Sequence, residues 1–275
     1  MDLFGEQSDL ELASNFTNLF LGTQGWSYPS WVGSFYPQGT KASDYLTEYA
    51  KHFPTVEIDS TFYAIPRNSL IDHLNRSTPE GFIFTAKFPK IITHEKRLKD
   101  CETNVKAFLD VMSRLGQKLG PLVLQFDYTF KFEQFDLLAC LLEKLPRGHR
   151  YAVEIRHRSW LKEEFFALLS SKNIALVLAD YAYMPKLDRV TADFLYIRWL
   201  GNRKDVPDDS YEKIIRDRTE DLVHWSSVVK GFIEKKIPVY GYFNNHYMGH
   251  SPGSIRIFLE MMRKAVRGER SIDAC

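Results

Sequence analysis

Hydrophobic residues alternate with polar residues in eight short segments of the chain. Such period-two alternation is typical of β-strands, whose successive side chains point to opposite faces. The segments are separated by turn residues such as Pro and Gly, which sharpen their boundaries. The predicted strands cover residues 19–25, 55–59, 82–88, 121–126, a stretch that begins at Tyr151, and residues 174–180, 194–199 and 238–243.

Most segments between these strands have apolar residues at the three- and four-residue spacing of an amphipathic helix. The exception is residues 181–192, a segment too short for a helix between two strands. The predicted helices cover residues 42–53, 69–75, 102–115, 134–145, 162–171, part of 211–235, and 254–266.

Strands that alternate with helices predict a parallel sheet. Eight such units in 275 residues predict a closed α/β barrel of the (β/α)8 TIM type, which typically takes about 250 residues. A doubly wound open sheet is the alternative, but residues 22–25 lack the glycine spacing of its phosphate-binding turn. We expect a polar N-terminal extension over residues 1–17, a single barrel domain over 18–268 and a short tail over 269–275.

Charged and amide side chains fall on one face of each predicted strand, near its C-terminal end. The outer face of a parallel barrel packs against helices and must be apolar, so we assign the polar face to the interior. Barrel enzymes place their sites at this end. The residues assigned to the polar inner ring are Gln24, Glu57, Asp59, Lys87, Gln125, Glu154, Arg156, Asp180, Arg198, Tyr242 and Asn244.

Three carboxylates of this ring, Glu57, Glu154 and Asp180, are candidate general acids or bases. Glu154 and Asp180 are expected to be neighbours on adjacent strands, about 5 Å apart. Two carboxylates at that distance do not readily ionise together. We therefore favour Glu154 as the proton-transfer residue, with Asp180 tuning it. Mutual neutralisation of the ring charges is the structural alternative.

Lys87, Arg156 and Arg198 converge from three strands, and guanidinium groups suit carboxylates and phosphates. The sequence therefore predicts a site for a small anionic molecule. Aromatic residues near strand ends either stack on a ligand or order the loops. The further candidate ligand contacts are Trp26, Tyr28, Tyr63, Gln125, Tyr242 and Asn244.

Composition narrows the function classes. The formal net charge is +1, which does not favour binding of nucleic acid or an anionic membrane through a global field. No apolar run reaches the ~20 residues of a membrane span, and the acidic composition of residues 1–15 leads us to expect no secretory signal. Three widely spaced cysteines favour a reduced, cytoplasmic protein. Histidines are scarce in the inner ring, so neither a metal site nor another cofactor is predicted.

Several blocks of the chain resemble the YecE-like family, domain of unknown function 72. The resemblance implies a TIM-type barrel and no particular reaction. Family members commonly carry His-Gly soon after the strand-seven arginine, where this chain has Leu200-Gly201, so no role is carried over to a histidine there. The blocks are GWSYPSWVGSFYP at residues 25–37, VEIDSTFY at 56–63, FTAKFP at 84–89 with ITH at 92–94, AVEIR at 152–156 with Trp160, Asp180, YIR at 196–198 and YFNNH at 242–246.

Three function classes remain open at this point. The first is an enzyme that acts on a small anionic, sugar-, nucleotide- or carboxylate-like substrate by carboxylate acid/base chemistry. The second is a ligand-binding or interaction protein without turnover. The third is a nuclease or isomerase of divergent barrel type that depends on a divalent metal.

Overall fold

Eight parallel strands form the centre of the structure, a computed structural model that describes residues 16–207 and 211–267. Their order in the sheet is β1-β8-β7-β6-β5-β4-β3-β2, so each strand lies beside its neighbour in the chain and β8 returns to β1. The predicted TIM-type barrel is confirmed. The strands are β1 (Leu19–Thr23), β2 (Thr55–Ile58), β3 (Ile83–Lys87), β4 (Leu119–Gln125), β5 (Tyr151–Glu154), β6 (Ala175–Tyr181), β7 (Leu195–Gly201) and β8 (Val239–Phe243).

The barrel closes between the residue that follows β1 and a residue within β2. Gln24 and Glu57 form an isolated parallel bridge, and the Gly25 N–H donates to the Glu57 carbonyl at 2.9 Å. Below this bridge the Tyr49 hydroxyl joins the two strands, because it accepts from the Thr23 N–H at 2.8 Å and donates to the Thr55 carbonyl at 3.0 Å. The seam is thus held by one bridge and one buried side chain.

Helices cover the outer face of the sheet, and their bounds follow the predicted periodicity. The predicted helix at 42–53 begins as a 3-10 turn, Ala42–Asp44, and the predicted helix at 102–115 ends as one, Ser113–Lys118. As predicted, the described residues between β6 and β7 contain no helix. The α-helices are α1 (Tyr45–Tyr49), α2 (Asn68–Arg76), α3 (Glu102–Met112), α4 (Phe135–Lys144), α5 (Glu163–Ser171), α6 (Thr219–Ile233), α7 (Asn245–Met248) and α8 (Ser251–Arg267).

Two apolar layers hold the fold together. The larger layer lies between the strands and the helices and contains residues such as Leu176, Leu178 and Trp199. The smaller layer fills the N-terminal part of the barrel interior, so the polar residues lie above a packed floor. Its members are Val123, Ala152, Ala175, Val177, Phe194, Tyr196, Tyr240 and Tyr242.

The face assigned to β6 from the sequence is wrong. Val177 belongs to the interior layer, and Ala179 lies beside the inward Arg198 in the β6–β7 register. Asp180 is paired with the outward Trp199, so it points toward the helices. The inner positions of β6 are apolar, and Val177 and Ala179 lie beside the large inward residues Tyr196 and Arg198 of β7. Polarity alone therefore identified the wrong face.

The chain joins the core before the predicted domain boundary at residue 18, because Phe16 is buried and its carbonyl accepts from the Leu19 N–H. The rest of the predicted extension, residues 1–15, and the predicted tail at 269–275 lie outside the described residues. No helix in the described part of the chain has the length and apolar character that crossing a bilayer requires.

Candidate functional site

A cavity of about 500 Å³ opens at the C-terminal end of the barrel. Its walls come from the ends of several strands and the loops that follow them, the usual location of a TIM-barrel site. The lining residues are Gln24, Asp59, Phe62, Tyr63, Lys87, His94, Gln125, Asp127, Arg156, Tyr181, Tyr183, Arg198, Leu200, Gly201, Asn202, Arg203, Lys204, Asn244 and His246.

Arg198 on β7 is the centre of the polar network under this cavity. Its Nη1 group donates to the Glu154 carboxylate, and its Nη2 group donates to Glu57 at 2.9 Å and to the Gln24 side-chain oxygen at 3.1 Å. Arg198 is buried and both carboxylates are fully buried. One guanidinium thus joins side chains from β1, β2 and β5 across the barrel.

The strand registers explain why these side chains meet. Gln24 lies beside Glu57, and Gln125 lies beside Glu154, so both glutamates occupy the last inward layer. Asn244 at the end of β8 donates to Gln24 at 2.9 Å and accepts from the backbone N–H of residue 246, which caps α7. The same asparagine therefore links the ring to the loop above it.

Glu154 is held as a carboxylate by two arginines. Its second oxygen accepts from the Arg156 Nε at 2.8 Å, in addition to the bond from Arg198. Burial alone would raise the pKa of Glu154, but the charges and hydrogen bonds of Arg198 and Arg156 lower it to about 2. Glu154 is therefore ionised throughout the neutral range and anchors both guanidinium groups.

Glu57 is also buried beneath the cavity, but its pKa is shifted in the opposite direction. Burial raises the pKa of Glu57, and the positive charges of Arg198 and Lys87 offset that rise only in part. Its second oxygen accepts from the Tyr196 hydroxyl at 2.6 Å. Of these two glutamates, Glu57 is the one whose environment favours holding a proton.

Arg156 lies at the surface of the network, where its side chain is 27% exposed. Its Nε is bound to Glu154, and its guanidinium carbon lies 5.3 Å from the Tyr181 ring centroid. Its two terminal nitrogens have no hydrogen-bond partner within the described residues. The geometry fixes one edge of this guanidinium and leaves the other available in the cavity.

Lys87 is placed differently, since its ammonium forms an ion pair with Asp59. The same ammonium lies 5.2 Å from the centroid of the Phe62 ring. Lys87 therefore adds positive charge to the cavity wall, but its ammonium group is already paired with the Asp59 carboxylate.

Two histidines line the cavity and differ in how their ring nitrogens are used. His246 bonds through Nδ1 to the Val206 carbonyl and through Nε2 to the Tyr211 hydroxyl, both at 3.1 Å, so it fastens neighbouring loops. His94 bonds only through Nδ1, to the Thr93 hydroxyl at 2.8 Å, among the residues whose placement is described.

The structure brings together most of the predicted ligand contacts but places one of the three predicted carboxylates, Asp180, elsewhere. Glu57 and Glu154 lie directly beneath the cavity, whereas Asp180 faces the helix layer. Asp180 accepts from the Trp225 indole at 2.8 Å and from the Tyr247 hydroxyl at 2.9 Å. The predicted contacts that line the cavity are Tyr63, Lys87, Gln125, Arg156, Arg198 and Asn244.

Three predicted aromatic contacts lie outside the cavity wall. The Trp26 carbonyl accepts from the Tyr36 hydroxyl at 2.5 Å, and the Tyr28 hydroxyl donates to the Gln24 carbonyl at 2.7 Å, so these residues order the loop after β1. Tyr242 is buried in the barrel interior, where its hydroxyl bonds to Thr55. These three residues stabilise the loop after β1 and the barrel interior and do not line the cavity.

Several cavity residues were not predicted, because they belong to loops rather than strands. Asp127 follows β4, and Arg203 and Lys204 follow β7. The signal available in the sequence was their position just after a strand end, where barrel loops surround the mouth. Gly201 allows this arrangement, because it has φ +67° and a Cβ there would lie 2.1 Å from the His246 carbonyl oxygen.

Within the described residues, no group of three or more His, Cys, Asp or Glu side chains is arranged to hold a metal ion. The prediction that the protein uses no metal stays a prediction.

Comparison with known proteins connects this geometry to a family. Residues 20–273 match the family described as "Protein of unknown function DUF72". The UPF0759 protein YecE of Escherichia coli K12 is 34% identical over 149 residues, which is 54% of this chain and 50% of that protein. YunF of Bacillus subtilis 168, also named a UPF0759 protein, is 28% identical over 155 residues, which is 54% of each chain. The chain thus spans about half the length of the curated relatives it matches.

Solved structures agree with the sequence match. The crystal structure of a DUF72 family protein from Thermotoga maritima MSB8 is 26% identical and has a TM-score of 0.73. The match covers 90% of this chain and 99% of that one, so the similarity extends over the whole barrel.

Proposed function

The chain belongs to the DUF72 family, and we propose that it binds a small anionic molecule at the C-terminal mouth of its barrel, with Arg156 as the principal contact. The proposal rests on the guanidinium of Arg156, which hydrogen-bonds to the protein along one edge only. One edge is fixed by Glu154 and Tyr181, and the other has no protein acceptor in the described chain. A pre-oriented guanidinium in a concave site is suited to bidentate binding of a carboxylate or phosphate.

The charge of the cavity wall supports an anionic ligand. Five cationic and two acidic side chains line the cavity: Lys87, Arg156, Arg198, Arg203 and Lys204 against Asp59 and Asp127. The buried Glu57 and Glu154 lie beneath and offset part of this excess. Burial raises the pKa of Glu57, and protonation of this residue would leave Glu154 as the carboxylate shared by Arg198 and Arg156.

We further propose that any acid/base chemistry at this site uses Glu57 rather than Glu154. Glu154 lacks the neighbouring carboxylate that would raise its pKa, because Asp180 lies on the other face of β6. Glu154 instead has two arginine partners and a pKa near 2, which makes it a poor proton donor near neutral pH. Burial raises the pKa of Glu57, which is the direction that favours proton transfer nearer neutral pH.

A non-catalytic binding protein is the second candidate function. Glu57 is fully buried and does not line the cavity, and its carboxylate oxygens accept from the buried Arg198 and Tyr196 side chains. This separation favours binding without turnover, with the buried carboxylates serving to hold Arg198.

A thermal-shift screen of sulfate, phosphate, phosphorylated sugars and small carboxylates tests the proposal. A ligand that binds the native state raises the unfolding temperature by mass action. Loss of a charge-assisted contact should weaken binding to the variant Arg156→Met by about tenfold or more.

The matched control is Arg114→Met, which removes the ion pair of Arg114 with Asp72 at the other end of the barrel. We expect this variant to retain the wild-type response to each anion. Absence of stabilisation by any of these anions, or equal responses of wild type and Arg156→Met, would overturn the proposal.

A further inference from the structure

His94 combines a fixed ring with an unused nitrogen. It lies in a π-helical turn, Ile91–Glu95, that follows β3, and such turns are frequent at functional sites. The Thr93 hydroxyl holds Nδ1 at 2.8 Å, and the Phe62 ring packs edge-on at a centroid distance of 5.0 Å. These contacts orient the imidazole, while Nε2 has no hydrogen-bond partner in the described part of the chain.

The surroundings of His94 favour a neutral ring in the free protein. Burial lowers the pKa of His94 first, the Asp127 carboxylate after β4 opposes that effect, and three cations lower it further. The cations are Arg156 after β5, Arg97 beyond the π-helical turn and Lys87 at the end of β3. On its own turn, Glu95 is engaged with Lys90 at 3.1 Å.

We propose that His94 is a second ligand contact of the mouth and that it takes up a proton when an anion binds beside Arg156. This inference rests on the proposed function, since it requires an anion in the cavity that both residues line. Burial is the main effect that keeps the ring neutral, and a bound anion offsets the additional effect of the three cations, which favours imidazolium. The proton comes from solvent, and Nε2–H then donates to the anion.

The inference narrows the ligand class. An imidazolium and a guanidinium on one cavity wall suit a compact anion with several acceptor oxygens, such as a phosphate, sulfate or carboxylate group. If the complex holds a proton on histidine that the free protein lacks, the affinity for the anion falls as pH rises. The reason is that fewer protons are then available to form the imidazolium.

Calorimetric titration with inorganic sulfate tests this directly, because sulfate itself does not titrate near neutral pH. Wild-type protein is titrated at about pH 6.5 in two buffers of different ionisation enthalpy, which reveals proton uptake. We expect uptake of a fraction of a proton and about a tenfold weaker affinity at about pH 8 than at about pH 6. His94→Gln should bind more weakly, without uptake and with less than about a twofold change across that range.

The control is His149→Gln, a histidine that precedes β5 at the opposite end of the barrel and should behave as wild type. Sulfate binding without proton uptake by the wild type, or with unchanged uptake by His94→Gln, would overturn the inference alone. Failure of the wild type to bind sulfate, phosphate or carboxylates would overturn the proposed function and this inference together. Where His94→Gln does not fold, absence of proton uptake by the wild type still overturns the inference, and His94→Asn replaces that variant in the comparison.

Discussion

Glu57 and Glu154 differ in environment although both are fully buried and both bind Arg198. Glu154 accepts from a second arginine, whereas Glu57 accepts from the neutral Tyr196 hydroxyl. Burial is the largest effect on the pKa of both residues; the charges and hydrogen bonds of two arginines outweigh it at Glu154, whereas the charges of Arg198 and Lys87 do not outweigh it at Glu57. At the residue scale, one of the two is an ionised anchor and the other is a carboxyl group that resists ionisation.

This difference predicts unequal costs for two matched substitutions. Glu154→Gln removes the partner of two guanidinium groups and should lower the free energy of unfolding by about 3 kcal/mol, since breaking a buried ion pair leaves a buried charge. Glu57→Gln should cost less, because a neutral side chain replaces a carboxylate that burial already destabilises. Urea unfolding of both variants measures this, and an equal or reversed order would contradict the assignment.

The pH dependence of Glu154 follows from its lowered pKa. The folded pKa of about 2 lies below the unfolded value of about 4.3, so this residue adds stability above the unfolded value. That contribution is lost as pH falls from about 5 toward 2. The stability difference between wild type and Glu154→Gln should therefore shrink on acidification, as measured by urea unfolding from about pH 7 to pH 3. A difference that stays constant would show that the two arginines do not lower this pKa.

At the element scale, the strand ends decide which polar residues belong to the site. The alternation of polar and apolar positions assigned the inner face correctly for Glu57, Lys87 and Arg198, because the outer positions of their strands are uniformly apolar. It did not do so for β6, whose inner positions are also apolar. Period two identifies two faces, and a neighbouring strand is needed to decide which one is inside.

The loop contribution to the cavity could not be read from periodicity. Tyr183, Arg203 and Lys204 reach the mouth through the path of irregular segments, which no repeating pattern describes. The availability of Nε2 on His94 is likewise a property of tertiary contacts. The sequence therefore predicts the strand residues of the site well and its loop residues poorly.

Asp180 provides a test of the corrected β6 face. Its carboxylate accepts from Trp225 and Tyr247, which fastens β6 to α6 and α7. Asp180→Ala leaves both buried donors without an acceptor and should lower the free energy of unfolding by about 2 kcal/mol or more. Asp180→Asn keeps one acceptor oxygen and should cost less.

Neither Asp180 variant should change the affinity for sulfate or phosphate, measured by calorimetry under conditions where both variants are folded. Loss of anion affinity without loss of stability would return Asp180 to the site and contradict its position in the helix layer.

At the scale of the whole molecule, the net charge of the chain does not reflect the local charge at the barrel mouth. The chain carries a formal charge of +1, yet cationic side chains outnumber acidic ones in the wall of the mouth. Charges inside a concave site focus their field on the ligand, whereas charges spread over the surface largely cancel. The barrel brings the ends of distant segments together, and this convergence creates the local excess.

The central claim is that an anion binds at the free edge of Arg156, and crystals soaked in selenate test it most directly. Anomalous scattering from selenium locates the anion without reference to the protein density. We predict a selenate at the barrel mouth whose oxygens lie within about 3 Å of the Arg156 terminal nitrogens, the N···O distance of a charge-assisted hydrogen bond. A mouth occupied only by water, with selenate bound elsewhere on the protein, would contradict the account.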